Sequence, residues 1–183
     1  MAISQHNIQA HRAIAAGYYS KVDFARRILW ALLTPFFRWS PRHLYSWRNF
    51  MLRCFGARVG RSVRIYPSAR VFAPWKLTIG DEVSLAWEVR IYNLAAISIG
   101  DRCLISQGAH LCAGNHDYRQ SHLPFTNKPI LIEADCWVCA DAFIGSGVTV
   151  GRLAVVGARA VVTKNVPERA VLAGNPARQV AGR

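Results

Sequence analysis

An aliphatic residue returns at every sixth position through most of this chain. Val59, Ile65 and Val71 open the series; Ile79, Leu85 and Ile91 follow, then Ile99, Ile105 and Leu111. After a gap come Ile132, Val138, Ile144, Val150, Val156 and Val162. Counted from each of these, the fifth position is small or aliphatic: Val63, Ala69, Val83, Val89, Ala95, Cys103, Ala109, Cys136, Ala142, Val148, Ala154, Ala160 and Val166, with Trp75 and Asn115 departing. The second position is often glycine, as at Gly60, Gly80, Gly100, Gly145, Gly151 and Gly157. A helix, with about 3.6 residues per turn, cannot keep a six-residue beat on one side. A stack of hairpins would show turn pairs at longer spacing. Short strands joined by tight corners fit, with two inward side chains per strand and glycine easing the corner.

Three such strands make a triangular turn of about eighteen residues. About five turns stacked at about 4.8 Å give a prism roughly 24 Å tall. Two-residue insertions, Leu77-Thr78 and Ile97-Ser98, recur once per turn, so one corner bulges each time. The pattern predicts a mainly β parallel helix over 59–166, with its core as a column and with Cys103 and Cys136 stacked in successive turns. An excursion loop over 117–131 interrupts it, and a tail over 167–183 follows.

The preceding segment, 1–58, reads differently. Residues 22–38 are rich in apolar and basic side chains. In 44–55, Leu44, Trp47, Phe50, Met51, Cys54 and Phe55 recur near helical spacing, leaving Arg48 and Arg53 available for water or phosphate. Two helices are predicted, as a cap on the open end of the prism, as a foot on a membrane surface carried by Trp30, Trp39, Arg26, Arg27 and Arg38, or as both.

Charge sharpens this picture. The formal net charge is +13, and residues 1–58 hold nine Lys/Arg against one acid, Asp23, which is +8 of that total. An anionic partner is implied near this segment, and an acidic membrane surface fits better than nucleic acid because the basic residues flank Trp and Phe. With 52% hydrophobic residues the chain can pack a core. Five cysteines, an odd number with a single C-x-x-C pair at Cys136 and Cys139, argue against a disulfide framework and a paired zinc knuckle, and for a reducing, cytoplasmic setting. Residues 1–17 lack a secretory pattern, and the apolar run from Ile28 to Phe37 is too short to span a bilayer.

The beat breaks at Gly114-Asn115-His116-Asp117. A long loop in a compact repeat is seldom idle, and a histidine at its root is held by rigid strands, which suits a general base. Asp117 either orients His116 or caps the loop.

These residues resemble the hexapeptide-repeat acyltransferases, whose fold is a left-handed parallel β-helix. The handedness rests on the resemblance, since parallel crossovers are ordinarily right-handed. Within that family the chain is similar to the colanic-acid-type O-acetyltransferases of exopolysaccharide synthesis. The likeness is carried by Trp39-Ser-Pro, Leu44-Tyr45, Trp47-Arg48, Phe55-Gly-Ala, Pro74-Trp-Lys-Leu-Thr, Ile105-Ser-Gln, Gly114-Asn-His-Asp, Cys136-Trp137, Val155-Val-Gly-Ala-Arg and Gly174-Asn-Pro-Ala.

The resemblance implies a homotrimer with its active sites between prisms, acetyl-CoA as acyl donor, no metal, and a sugar or glycolipid acceptor. His116 would be the base. Trp137 would pack beside the pantetheine or acetyl group, and Ala140 and Ala158 would offer backbone groups along the arm. Thr163, Lys164 and Arg178 would meet the adenosine and its phosphates; the tail thus contributes to the CoA site. Galactoside and maltose acetyltransferases carry an acceptor-binding Asn where this chain has Ala86, so the acceptor is held differently. Glu88, Asn93 and Arg119 are the candidates. The expected reaction is acetyl transfer to a sugar hydroxyl of an exopolysaccharide or its lipid-linked precursor, in the cytoplasm or on the inner face of the cytoplasmic membrane. Two rivals remain: a non-catalytic scaffold on the same prism, and a carbonic-anhydrase-like metal enzyme using His110, His116 and His122.

Overall fold

The structure, a computed structural model, describes residues 20–182. The reading of 1–17 as lacking a secretory pattern lies outside the described residues. Helix α1 (Lys21–Arg38) begins at Ser20, whose side chain accepts from the Asp23 N–H. Helix α2 (Tyr45–Cys54) follows. Short strands then wind into a three-sided parallel prism. Face A stacks β1 (Arg58–Val59), β4 (Leu77–Ile79), β7 (Ile97–Ile99), β10 (Ile130–Ile132) and β13 (Thr149–Val150). Face B stacks β2 (Arg64–Ile65), β5 (Ser84–Leu85), β8 (Leu104–Ile105), β11 (Trp137–Val138), β14 (Val155–Val156) and β16 (Ala170–Ala173), with β17 (Arg178–Gly182) antiparallel to β16 at its edge. Face C stacks β3 (Arg70–Val71), β6 (Arg90–Tyr92), β9 (His110–Cys112), β12 (Phe143–Ile144) and β15 (Val161–Val162).

Five full turns result, and the tail adds part of a sixth: Val166 bridges Val150 on face A and β16 extends face B. The periodic aliphatic residues and the small fifth-position residues form one core column, as the beat requires. Cys103 and Cys136 stack on successive turns, since β8 pairs in register with β11. Their mutual contact and their burial push the Cys103 thiol above its ordinary range.

The glycines act differently from the sequence expectation. The left-handed corner conformation belongs to Ser62 (φ +54), Glu82 (φ +60) and Arg102 (φ +54), each two residues after the repeat glycine. A Cβ on Gly60 would lie 2.5 Å from the Gly80 carbonyl carbon, and one on Gly100 would lie 2.7 Å from the Ala134 nitrogen. Glycine is therefore needed for the close stacking of turns, rather than for the bend itself.

Both helices close the N-terminal end of the prism. Trp30, Phe37, Met51 and Leu52 join the core column, and the Trp30 indole N–H donates to the Val71 carbonyl at 2.8 Å. Arg48 is not available for water or phosphate: it is fully buried. Its guanidinium donates to the carbonyls of Ile65 (2.6 Å), Pro41 (2.9 Å) and Arg42 and to Ser40 Oγ (2.7 Å), tying α2 to the first turn. Burial pulls its pKa below the usual arginine value.

Candidate active site

The corner between faces C and A is the irregular one. It carries the 3₁₀ turn Pro74–Lys76 in the first turn, a longer corner before β7 in the second, and the excursion between β9 and β10 in the third. Asn93 braces this corner. It is fully buried, its Oδ1 accepts from the Ala73 N–H at 2.9 Å, and its Nδ2 donates to the Ala73 carbonyl at 2.6 Å. The expectation that Asn93 binds acceptor is thus corrected: both ends of the amide are spent on the turn below, where an unpaired buried backbone group would be costly.

The loop leaves at Gly114. A Cβ there would lie 2.8 Å from Leu94 Cδ1 and from Tyr92 Cε1, so a larger residue would have to displace those side chains. His116 and Phe125 then face each other in an antiparallel bridge, flanked by Asp117 N–H to Pro124 O (2.9 Å) and Thr126 N–H to Asn115 O (2.9 Å). The imidazole is exposed, stands 4.4 Å from the Phe125 ring centroid, and places Nδ1 2.5 Å from the Leu123 carbonyl. A carbonyl accepts only, so Nδ1 carries a proton, and in the neutral ring the lone pair is on Nε2. The Asp117 carboxylate instead accepts from the Arg119 N–H (3.0 Å) and Gln120 Nε2 (3.0 Å). Of the two readings left open for Asp117, the geometry is that of a loop cap.

Trp137 lies on face B with its indole about half exposed, and its Nε1–H donates to Ser106 Oγ at 2.9 Å, which fixes the ring plane. Ala140 and Ala158 occupy the B/C corner on successive turns. The Ala140 carbonyl accepts from the Arg159 N–H at 2.9 Å, while neither alanine N–H has a protein acceptor among the described residues. Those N–H groups are open to an extended amide-bearing ligand. Thr163, Lys164 and Arg178 line one cavity of about 330 Å³ at the C-terminal end, shared with Asn165 and Gln179 and free of acidic lining residues. Two cations without a carboxylate suit phosphate.

Glu88 is tied to Arg70 at 3.1 Å, and Arg119 is exposed on the loop with its guanidinium 5.8 Å from the Tyr118 ring. His110 stands edge-on to Phe143 at 5.4 Å, and burial, then Arg90, lowers its pKa. Among the described residues no three His, Cys, Asp or Glu side chains are grouped to hold a metal ion. The Leu123 carbonyl and Ser106 were missed from sequence as partners of His116 and Trp137. The first is a backbone group with no side-chain signature; the second was visible as the hexad position one turn below the Trp137 strand.

His116 leaves the C/A corner, while Trp137, Ala140 and Ala158 sit on face B and the B/C corner. Face C lies between them.

No family model matches the chain. It is 44% identical over 151 residues to an Escherichia coli protein that bears the name colanic acid biosynthesis acetyltransferase WcaF, covering 82% of this chain and 83% of that one. It is 26% identical over 136 residues to the galactoside O-acetyltransferase of Escherichia coli, covering 73% and 67%. Among solved structures, a hexapeptide-repeat-containing acetyltransferase of Vibrio cholerae, complexed with acetyl-CoA, superposes with a TM-score of 0.81 at 28% identity, covering 89% of this chain and 90% of that one.

Proposed function

Since the chain belongs to the hexapeptide-repeat acetyltransferases, acetyl-CoA-dependent left-handed β-helix enzymes with colanic-acid-type relatives, we propose that it acetylates a sugar hydroxyl of an exopolysaccharide or its lipid-linked precursor, with His116 as general base. The observation that carries this reading is the Nδ1–H to Leu123 carbonyl bond, which in the neutral imidazole leaves Nε2 as the basic nitrogen of an exposed residue.

Nε2 takes the hydroxyl proton while the sugar oxygen forms its bond to the acetyl carbonyl carbon. Collapse of the tetrahedral adduct breaks the carbon–sulfur bond, and the imidazolium returns the proton to the departing thiolate. Trp137, Ala140 and Ala158 flank the pantetheine arm; Thr163, Lys164 and Arg178 take the adenosine phosphates. Because face C separates His116 from Trp137 within one prism, the site needs a second copy, and a cyclic trimer supplies three equivalent clefts.

The test of the reaction is incubation with labelled acetyl-CoA and a panel of lipid-linked glycan intermediates, with the ester located by mass spectrometry. Transfer to amines but to no sugar hydroxyl would overturn it.

A membrane-surface role for the helices is supported by α1. Val22, Ala25, Leu29, Leu32, Phe36 and Trp39 recur on one side and are exposed, Leu32 at 67% and Trp39 at 86%. Leu44, Trp47 and Phe50 are exposed on the neighbouring α2 segment. No helix among the described residues is long and apolar enough to cross a membrane, so the stripe would lie in the interface. Leu29→Glu with Leu32→Glu should abolish sedimentation with phosphatidylglycerol vesicles; undiminished sedimentation would refute this role.

A further inference from the structure

The outward positions of the three faces differ in one respect. On face A they run Arg58, Thr78, Ser98, Leu131, Thr149, and on face B Arg64, Ser84, Leu104, Trp137, Val155. On face C they run Arg70, Arg90, His110, Phe143, Val161. Face C thus stacks cation on cation in register and continues the column with a histidine. Like charges directly opposite each other destabilise a sheet, so folding gives no reason for this column. Glu88 partly offsets Arg70, at 3.1 Å, whereas Arg90 makes no ion pair or hydrogen bond through its side chain among the described residues.

A second row runs beside the first. Phe72 and Tyr92 meet edge to face at 4.9 Å, and the Arg27 guanidinium of α1 lies 4.5 Å over the Phe72 ring. A cavity of about 300 Å³ is lined by Arg70, Phe72, Arg90, Tyr92 and His110. It shares Val71 and Phe72 with a cavity of about 500 Å³ under α1, so the two form one trough. The opposite rim is the root of the loop, because Gly114 rests on the Tyr92 ring two residues before His116. The trough therefore starts at the root of the loop that carries His116 and runs toward the N-terminal helices.

We infer that this trough holds a phosphate-class anion carried by the acceptor while His116 acts on a hydroxyl of the attached sugar. The inference rests on the O-acetyltransferase reading above. The stacked guanidinium groups of Arg70 and Arg90 exceed what the one carboxylate of Glu88 engages; the oxygens of a phosphate or diphosphate ester match that donor set. The aromatic row gives the uncharged part of the same molecule a surface to lie on. Asn93, buried in the corner, and Ala86, without a polar side chain, leave the recognition of the acceptor to charge.

The experiment uses the full chain in two arms. In the first, the protein is saturated with CoA and titrated calorimetrically with inorganic pyrophosphate. Wild type should bind pyrophosphate, and Arg90→Gln should weaken that binding about tenfold or more, with CoA affinity unchanged. In the second, initial rates are compared for three acceptors bearing the same sugar: a methyl glycoside, a soluble glycosyl 1-phosphate and a short-chain prenyl diphosphate glycoside. Wild type should favour the phosphate-bearing acceptors through KM, and Arg90→Gln should lose that preference while kcat on the methyl glycoside stays the same. Preference for the prenyl form over the soluble phosphate would identify a lipid-linked source; equal use of both would identify the phosphate alone. Equal use of neutral and charged acceptors by wild type, or an unaltered preference in Arg90→Gln, overturns the trough while leaving O-acetylation standing. No transfer to any sugar despite CoA binding overturns the reading beneath it, and the inference falls with it.

Discussion

Two substitutions at His116 separate proton transfer from loop anchoring. His116→Ala removes the ring. His116→Asn keeps an N–H donor near the position of Nδ1, able to reach the Leu123 carbonyl, but lacks a basic nitrogen where Nε2 stands. The imidazole is exposed and touches the fold mainly through Phe125 and Leu123, so either change should cost less than about 1 kcal/mol of stability. Loss of a general base lowers turnover by about 10²–10⁴-fold. At about 1.36 kcal/mol per decade this is about 2.7–5.4 kcal/mol of transition-state free energy. The assay is release of CoA thiol at saturating acetyl-CoA, with thermal unfolding and CoA affinity measured on the same preparations. Both variants should fall within that range in kcat, with CoA affinity and Tm near wild type. If His116→Asn retains turnover within about threefold of wild type, far short of a lost base, the ring is a loop anchor and the proton-transfer role is wrong.

Three further outcomes follow from the same geometry. Asn93→Ala should lower stability by about 2–4 kcal/mol, because it strands a buried N–H and a buried carbonyl of Ala73, and should leave the acceptor KM unchanged; a raised KM in a variant of normal stability would return Asn93 to the acceptor site. Arg48→Met keeps the apolar stem but removes the donors to Ile65, Pro41, Arg42 and Ser40; it should cost about 2–4 kcal/mol in chemical denaturation, and a neutral effect would show that water satisfies those acceptors. The Asp135 carboxyl is held below its ordinary value first by its hydrogen bond to Arg102, with Arg152 adding to the effect. Its stabilising contribution is therefore present above the unfolded value, about 3.9, and is lost as pH falls through the lower folded value. Asp135→Asn, which tolerates the left-handed backbone at that position (φ +64), should flatten the fall of Tm between about pH 5 and pH 2; an unchanged acid limb would refute the linkage.

The prism was legible because a period of six leaves little choice: two inward residues per strand and a corner, repeated, admit a triangular coil. The core column, the Cys103–Cys136 stacking and the recurrently bulged corner all follow from that spacing. What spacing does not encode is the conformation of each corner residue. Glycine marks the corner in sequence, yet Ser62, Glu82 and Arg102 adopt the left-handed backbone while Gly60, Gly80 and Gly100 keep the turns close. His116 was legible because it stands where the beat stops. Asn93 looked like a surface ligand because its position at a bulged corner breaks the inward–outward alternation, and its burial depends on Ala73 one turn away. Arg48 was misread for a similar reason. Helical spacing placed it on the outer side of an isolated helix, whereas α2 is enclosed on that side by Ser40, Pro41 and Arg42.

A site shared between prisms has a quantitative signature in mixed trimers. His116→Ala supplies an intact CoA groove, and Ala158→Trp, which fills the B/C corner, supplies an intact base; each alone should be inactive as a homotrimer. Co-assembled in equal amounts, every mixed cyclic trimer contains one interface with both halves intact, so about a quarter of wild-type turnover should return. Mixed trimers, verified by native mass spectrometry, that show no activity beyond the two parents would mean that each protomer carries its own complete site, contrary to this account.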